Sequence, residues 1–153
     1  LEKRIPVFHP IDFKLKKTIS RFKQLKPDIA VVMSYGLLLP KEILSIPNFG
    51  CINVHVSLLP RWRGAAPIEH AILNGDKKTG ISIFQIEEKL DSGPIIASKE
   101  ININNFSKEE LTLKLNKIGI NLLSKILPKI FDKKISMQNQ DDFKATYAKK
   151  NYS

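Results

Sequence analysis

Cysteine is almost absent from this sequence. Cys51 stands alone among 153 residues, which excludes an internal disulfide and any multi-cysteine metal site and fits a reducing compartment. Long apolar runs are also missing. No stretch approaches the ~18 to 20 residues that cross a bilayer, and residues 1–6 hold no signal-peptide core, so the reading is a cytoplasmic protein with no membrane partner. The three histidines, His9, His55 and His70, lack ligand spacing, which leaves no metal site. Acidic side chains are the scarcer charge, 15 against 25 basic, for a net +10.

What is present suits one folded domain. The chain is 42% hydrophobic and 26% charged with mixed sign, enough to build a core and to exclude wholesale disorder. Its charge is uneven: residues 1–26 sum to +6 (8 basic, 2 acidic), 27–107 to −1 (7 and 8) and 108–153 to +5 (10 and 5). Such basic flanks attract polyanions. Yet 21 Lys, 21 Ile and 10 Asn are all types with A/T-rich codons, so mutational bias is a competing cause.

Apolar periodicity predicts alternating strands and helices and hence an α/β sheet, mostly parallel. Strands are expected at 5–8, 28–34, 51–56 and 80–87, with an extended segment at 94–103. The continuous apolar run at 28–34 marks a strand covered on both faces. Helices are expected at 18–26, where Ile19, Phe22 and Leu25 recur three apart, and at 67–74, with Pro67 in the first turn. A third helix starts at Ser107, where Ser107 and Glu110 form a capping-box pattern. Its buried stripe is Leu111, Leu115, Ile118, Leu122 and Ile126, and Pro128 should stop or kink it. Residues 133–153 are polar and read as a strand and a tail leading elsewhere.

The densest chemistry lies in residues 53–68, at the end of a predicted strand, where open α/β sheets bind ligands. Asn53 and His55 are two apart, so a strand projects both to one face about 6.6 Å apart, at ~3.3 Å per residue. An amide and an imidazole there could flank one reacting group. Asn53 in a turn and His55 as a hydrogen-bonded core residue is the alternative. A hydrolase triad of His55, Ser57 and Asp91 lacks the Gly-x-Ser-x-Gly elbow and is disfavoured. Leu37, Leu38, Leu39, Leu58 and Leu59 could line a slot for a flat ring or pack in the core.

Asn53 to Pro60 (Asn-Val-His-Val-Ser-Leu-Leu-Pro), the following Arg61-Trp62-Arg63-Gly64-Ala65-Ala66-Pro67, and Leu90-Asp91-Ser92-Gly93 together resemble the folate-dependent formyltransferase family. Ser34-Tyr35-Gly36-Leu37-Leu38-Leu39-Pro40 matches the same family's strand-end loop. Within the family, 61–67 and 146–150 look most like the branch that formylates the methionine carried by initiator tRNA, although Val56 stands where that branch usually has Gly. The resemblance implies formyl transfer from 10-formyltetrahydrofolate to an amine, with no metal. It implies Asn53, His55 and Asp91 as catalytic residues, with Asp91 keeping His55 protonated. It implies folate contacts from Tyr35, Gly36, Leu37, Leu38, Ser57, Leu58, Leu59, Pro60 and Leu90. Arg61, Trp62 and Arg63 would meet the tRNA acceptor end, or else serve structurally with Trp62 packed and the arginines solvated or paired. The implied partner is initiator methionyl-tRNA and the implied state a monomer. A relative acting on an amino sugar or glycinamide ribonucleotide, or a non-catalytic remnant, is the alternative.

The resemblance also implies an incomplete Rossmann-like formyltransferase fold that lacks its first strand-helix unit. Residues 1–132 would be part of the catalytic domain. Residues 133–153 would be its end and a linker towards an absent C-terminal β-barrel domain.

Overall fold

In the computed structural model, which describes residues 5–35, 38–103 and 105–150, two alternating side-chain sets on the same strands organise the molecule. The strands are β1 (Ala30–Val32), β2 (Cys51–His55), β3 (Arg63–Gly64), β4 (Lys78–Gln85), β5 (Ile95–Asn102) and β6 (Tyr147–Ala148). The helices are α1 (Lys16–Gln24), α2 (Lys41–Leu44), α3 (Pro67–Leu73) and α4 (Lys108–Phe131), with a 3-10 turn at Asp142–Lys144. β1, β2, β4 and β5 form one sheet in that order, and β3 pairs with β6 in a small second sheet.

The α/β architecture is the expected one, with mixed pairing. β1 with β2 and β3 with β6 run parallel, while β2 with β4 and β4 with β5 run antiparallel. β2 and β4 are joined through β3 and the seven-residue α3, and they pair antiparallel.

One face of β2 and β4 carries Ile52, Val54, Ile81 and Ile83, all buried against Leu111 and Leu115 of α4. Ile118, Leu122 and Ile126 extend the contact, so the expected stripe is the one that packs. Gly119 allows the close approach: a Cβ there would sit 2.9 Å from Val54 Cγ1. At its start Ser107 accepts from the Glu110 N–H while Glu110 accepts from the Ser107 N–H, the expected capping box.

Three expectations are corrected. Pro128 does not stop α4, which runs on to Phe131. It lies in the last turn, where its missing N–H costs a single bond, and the helix ends instead on Lys133 in the left-handed region (φ 56), with Lys134 N–H donating to Lys129 O at 2.8 Å. Residues 5–8 form no strand: Pro6 and Pro10 lack donors, and Ile5 and Val7 are 74% and 71% exposed. The 28–34 strand is not covered on both faces by described residues. Among the described residues β1 is the sheet's edge, and Val31 and Met33 are 40% and 38% exposed.

The tail beyond α4 folds back. Gln138 pairs with Ile95, and β6 lies along β3. Among the described residues no helix is long and apolar enough to cross a membrane.

Candidate active site

The opposite face of β2 and β4 carries the polar chemistry. Asn53 lies across from Phe84 and His55 across from Ser82 in the antiparallel register, so all four project to one side. This meets the expectation that Asn53 and His55 share a strand face. Asn53 is half-buried, and no described group hydrogen-bonds its side-chain amide. His55 is buried, with its ring edge-on to Phe84 at 6.3 Å.

His55 Nε2 donates to the Trp62 carbonyl at 2.9 Å, which fixes the proton on that nitrogen of the neutral ring. Its Nδ1 faces Asp91 Oδ2 at 3.8 Å. The resemblance implies that Asp91 keeps His55 protonated, and two influences oppose each other here. Burial lowers the His55 pKa from its usual value, against the opposing pull of the Asp91 charge and the Trp62 carbonyl.

Asp91 arrives from the loop between β4 and β5 with φ +47, a left-handed conformation that Asp tolerates. Its Oδ2 accepts the Gly64 N–H at 2.7 Å. Gly64 has φ +117, and any Cβ there would press on the Ala148 carbonyl at 2.8 Å, so glycine is required.

The loop from 56 to 64 is fastened by side chains to backbone. Ser57 Oγ donates to Arg61 O at 2.6 Å, and Ser82 Oγ donates to Ser57 O at 2.8 Å while accepting from Leu59 N–H at 3.0 Å. A cis peptide bond joins Leu59 and Pro60. Trp62 holds φ +63, a strained value for a bulky residue, costing about 1 to 3 kcal/mol. Its backbone N–H donates to Thr146 Oγ1 at 2.9 Å and its indole Nε1 to Asp76 Oδ2 at 2.8 Å, which together hold it there.

These contacts are those of the structural alternative for Trp62 and Arg63, the one packed and the other paired. Both side chains are buried, Trp62 at 8% and Arg63 at 3% exposure. Arg63 donates from Nε and Nη2 to Gln140 Oε1 and from Nη2 to Asp142 Oδ1 at 2.7 Å. That guanidinium holds the Asp142 carboxyl below its ordinary range. Arg61 lies over the Trp62 ring at 4.3 Å and makes a two-pronged pair with Asp76, at 2.8 and 2.6 Å. Of the three it alone is substantially exposed, at 45% of its side chain. Its pairing lowers the Asp76 pKa.

The expected folate contacts divide. Ser57 and Leu59 are buried, Leu58 and Pro60 half-buried, and Tyr35, Leu38 and Leu90 exposed. Gly36 and Leu37 lie outside the described residues. Tyr35 packs edge-on against Phe13. Lys41, which opens α2 just after Pro40, pairs with Glu88 at 3.3 Å. Beside them opens a cleft of about 730 Å³ between Lys41, Leu44 and the 87–94 loop, with Gln140 and Asp142 along it; Asn53, His55 and Asp91 do not line it. Cys51, on the same strand face as Asn53, is inert: burial pushes its thiol up to about 11.

Sequence reasoning missed Ser82, Asp76 and Gln140, and it included Thr146 only within the 146–150 resemblance, with no role. Ser82 was findable, as one hydroxyl between Ile81 and Ile83. Asp76 and Gln140 carry no local signal, because their partners lie far away in sequence.

Residues 6–127 match the family model described as formyl transferase, and the chain belongs to that family. It is 51% identical over 150 residues to the methionyl-tRNA formyltransferase of Wolbachia sp. subsp. Drosophila simulans (strain wRi), covering 97% of this chain and 50% of that one. Among solved structures it is similar to the methionyl-tRNA formyltransferase from Clostridium thermocellum (TM-score 0.68, 25% identity, 88% of this chain and 56% of that one). It is also similar to a formyltransferase from Anoxybacillus kamchatkensis in complex with UDP-4,6-dideoxy-4-formamido-L-AltNAc and tetrahydrofolate (TM-score 0.72, 26% identity, 80% and 64%). The chain spans about half the length of the curated relatives it matches.

Proposed function

We propose that this chain carries the formyl-transfer centre of an enzyme that moves a formyl group from 10-formyltetrahydrofolate to the amino group of initiator methionyl-tRNA. The observation that supports the chemistry is one strand face presenting the Asn53 amide, which no described group hydrogen-bonds, beside His55, whose Nδ1 faces Asp91 at 3.8 Å. The acceptor is argued from sequence, because the solved structures do not separate acceptors: the tRNA-linked and sugar-linked relatives are 25% and 26% identical. The 51% identity to the Wolbachia protein across nearly the whole chain favours methionyl-tRNA.

Attack of the amine on the formyl carbon creates a tetrahedral oxyanion. The Asn53 amide is the donor placed for that charge, and such a donor is commonly worth about 3 to 4 kcal/mol. His55 Nδ1 receives the proton that the attacking amine sheds, and the Asp91 carboxylate stabilises the imidazolium. The same proton then passes to the departing N10, so the formyl C–N bond breaks with no net change in charge. Leu58 and Leu90 flank the folate ring, and Arg61 offers its exposed edge to the tRNA backbone. The protein acts in the cytoplasm as a monomer.

The test offers the protein 10-formyltetrahydrofolate with methionyl-tRNA and, separately, with an amino-sugar nucleotide. Formylation of methionyl-tRNA that falls at least about 100-fold in Asn53→Ala is expected. Turnover of the sugar alone would overturn the acceptor, and turnover indifferent to Asn53 would overturn the site.

A further inference from the structure

We propose that Gln140 is a positioning residue for the reaction above, holding the Asp91 carboxylate against His55 through the backbone of the Asp91 loop. This rests on the formyl-transfer reading for its consequence, and on geometry for its substance. Gln140 lies in the segment after α4, outside the region that matches the family model. Its Nε2 donates to two carbonyls of one turn, Asp91 O at 2.9 Å and Gly93 O at 2.7 Å. Its Oε1 accepts both Nε and Nη2 of the buried Arg63, at 3.1 and 2.9 Å.

One side chain thus uses both ends of its amide to tie two loops together. At one end is the turn that carries Asp91 in its left-handed conformation. At the other is Arg63 of β3, whose neighbour Gly64 donates its N–H to Asp91 Oδ2. The carboxylate is therefore located from two sides, by its own backbone through Gln140 and by its side-chain oxygen through Gly64. Gly93 contributes to the same rigidity, since a Cβ there would collide with the Gln85 carbonyl. Without the Gln140 donors the two carbonyls lose their partner, and the turn is free to carry Asp91 away from Nδ1.

Asp91 is the carboxylate that faces His55, and its charge raises the His55 pKa against burial. The Trp62 carbonyl and the Phe84 ring are the other groups against the imidazole, and neither titrates. Arg63 and Asp142 are the charged groups beside Gln140, with Lys89 acting on Asp142. Gln140→Met keeps the length and adds no charge, so a shift in His55 reports the place of Asp91.

The experiment follows the His55 ring by NMR titration of the 153-residue chain, in wild type, Gln140→Met, Asp91→Asn and the double variant. Gln140→Met is expected to lower the His55 midpoint by about half a pH unit and to have no further effect in the Asp91→Asn background. Gln140→Asn, which keeps the amide one methylene short, is expected to shift the midpoint in the same direction with the melting temperature preserved. This covers the case in which the Met variant does not fold. An unmoved midpoint in the folded variants, or an equal shift in both Asp91 backgrounds, would overturn the proposal. The titration is read without catalysis, so its failure is distinct from failure of the formyl-transfer reading. In the active protein the same variant should lower kcat about tenfold with KM for the folate little changed.

Discussion

The two faces of β2 and β4 are built by different rules on the same residues. On the α4 face, Ile52, Val54, Ile81 and Ile83 meet Leu111 and Leu115, and burial is apolar and non-directional. On the site face, Asn53, His55, Ser82 and Phe84 meet loops, and the buried polar atoms of His55 and Ser82 are matched with backbone groups. The first face tolerates small shifts and supplies stability. The second specifies position, and each lost partner leaves a buried group unsatisfied. A chain that alternates every residue can serve both purposes because the strand period is two.

The largest break in this comparison should come from the apolar face. Leu115→Ala is expected to destabilise the chain by about 2 to 5 kcal/mol in urea unfolding. In the fraction that stays folded, the His55 titration should be unchanged. A change of that titration equal to the one produced by Asp91→Asn would show that the two faces are not separable.

Ser82→Ala is the counterpart on the site face. It strands the Ser57 carbonyl and the Leu59 N–H, at an expected cost of about 1 to 3 kcal/mol. Unlike Leu115→Ala, it should also weaken folate binding by calorimetry, because the loop that it braces carries Leu58. Intact binding with lost stability would make the brace purely structural.

The smallest effect is one proton's worth. The folded-state pKa of His55 lies below its unfolded value of 6.5, so the unfolded chain binds the proton first. Stability from the neutral imidazole is full above pH 6.5 and is lost as pH falls through the lowered folded value. The melting temperature should therefore decline between pH 7 and 5, and decline less in His55→Gln. The depressed carboxylates, Glu69, Asp76, Glu110 and Asp142, contribute separately at lower pH, as pH falls through their folded values. An identical slope in His55→Gln would assign the decline to other groups.

Much of the frame was readable in advance, and the reasons are local. The capping box at Ser107, the α4 stripe and the shared face of Asn53 and His55 all follow from helix and strand periods that act within a few residues. The failures share a cause. Apolar composition at 28–34 states that a strand wants cover, and cannot state whether described residues supply it. Pro128 breaks a helix by rule, but only if enough helix follows it. Arg61, Trp62 and Arg63 look like an RNA-facing cluster in one dimension. In three, Asp76, Gln140, Asp142 and Thr146 have already taken their polar atoms, and only Arg61 keeps an open edge.

The amino-acid sequence by itself determined α4 with its cap and stripe, the family resemblance and the Asn53 and His55 pair, because each is written in neighbouring residues. Tertiary structure alone decided that His55 is buried against the Trp62 carbonyl, that Trp62 and Arg63 are internal, and that the polar tail after α4 returns to grip the Asp91 loop. Those outcomes depend on burial and on partners from distant segments, and neither exists until the chain has closed on itself.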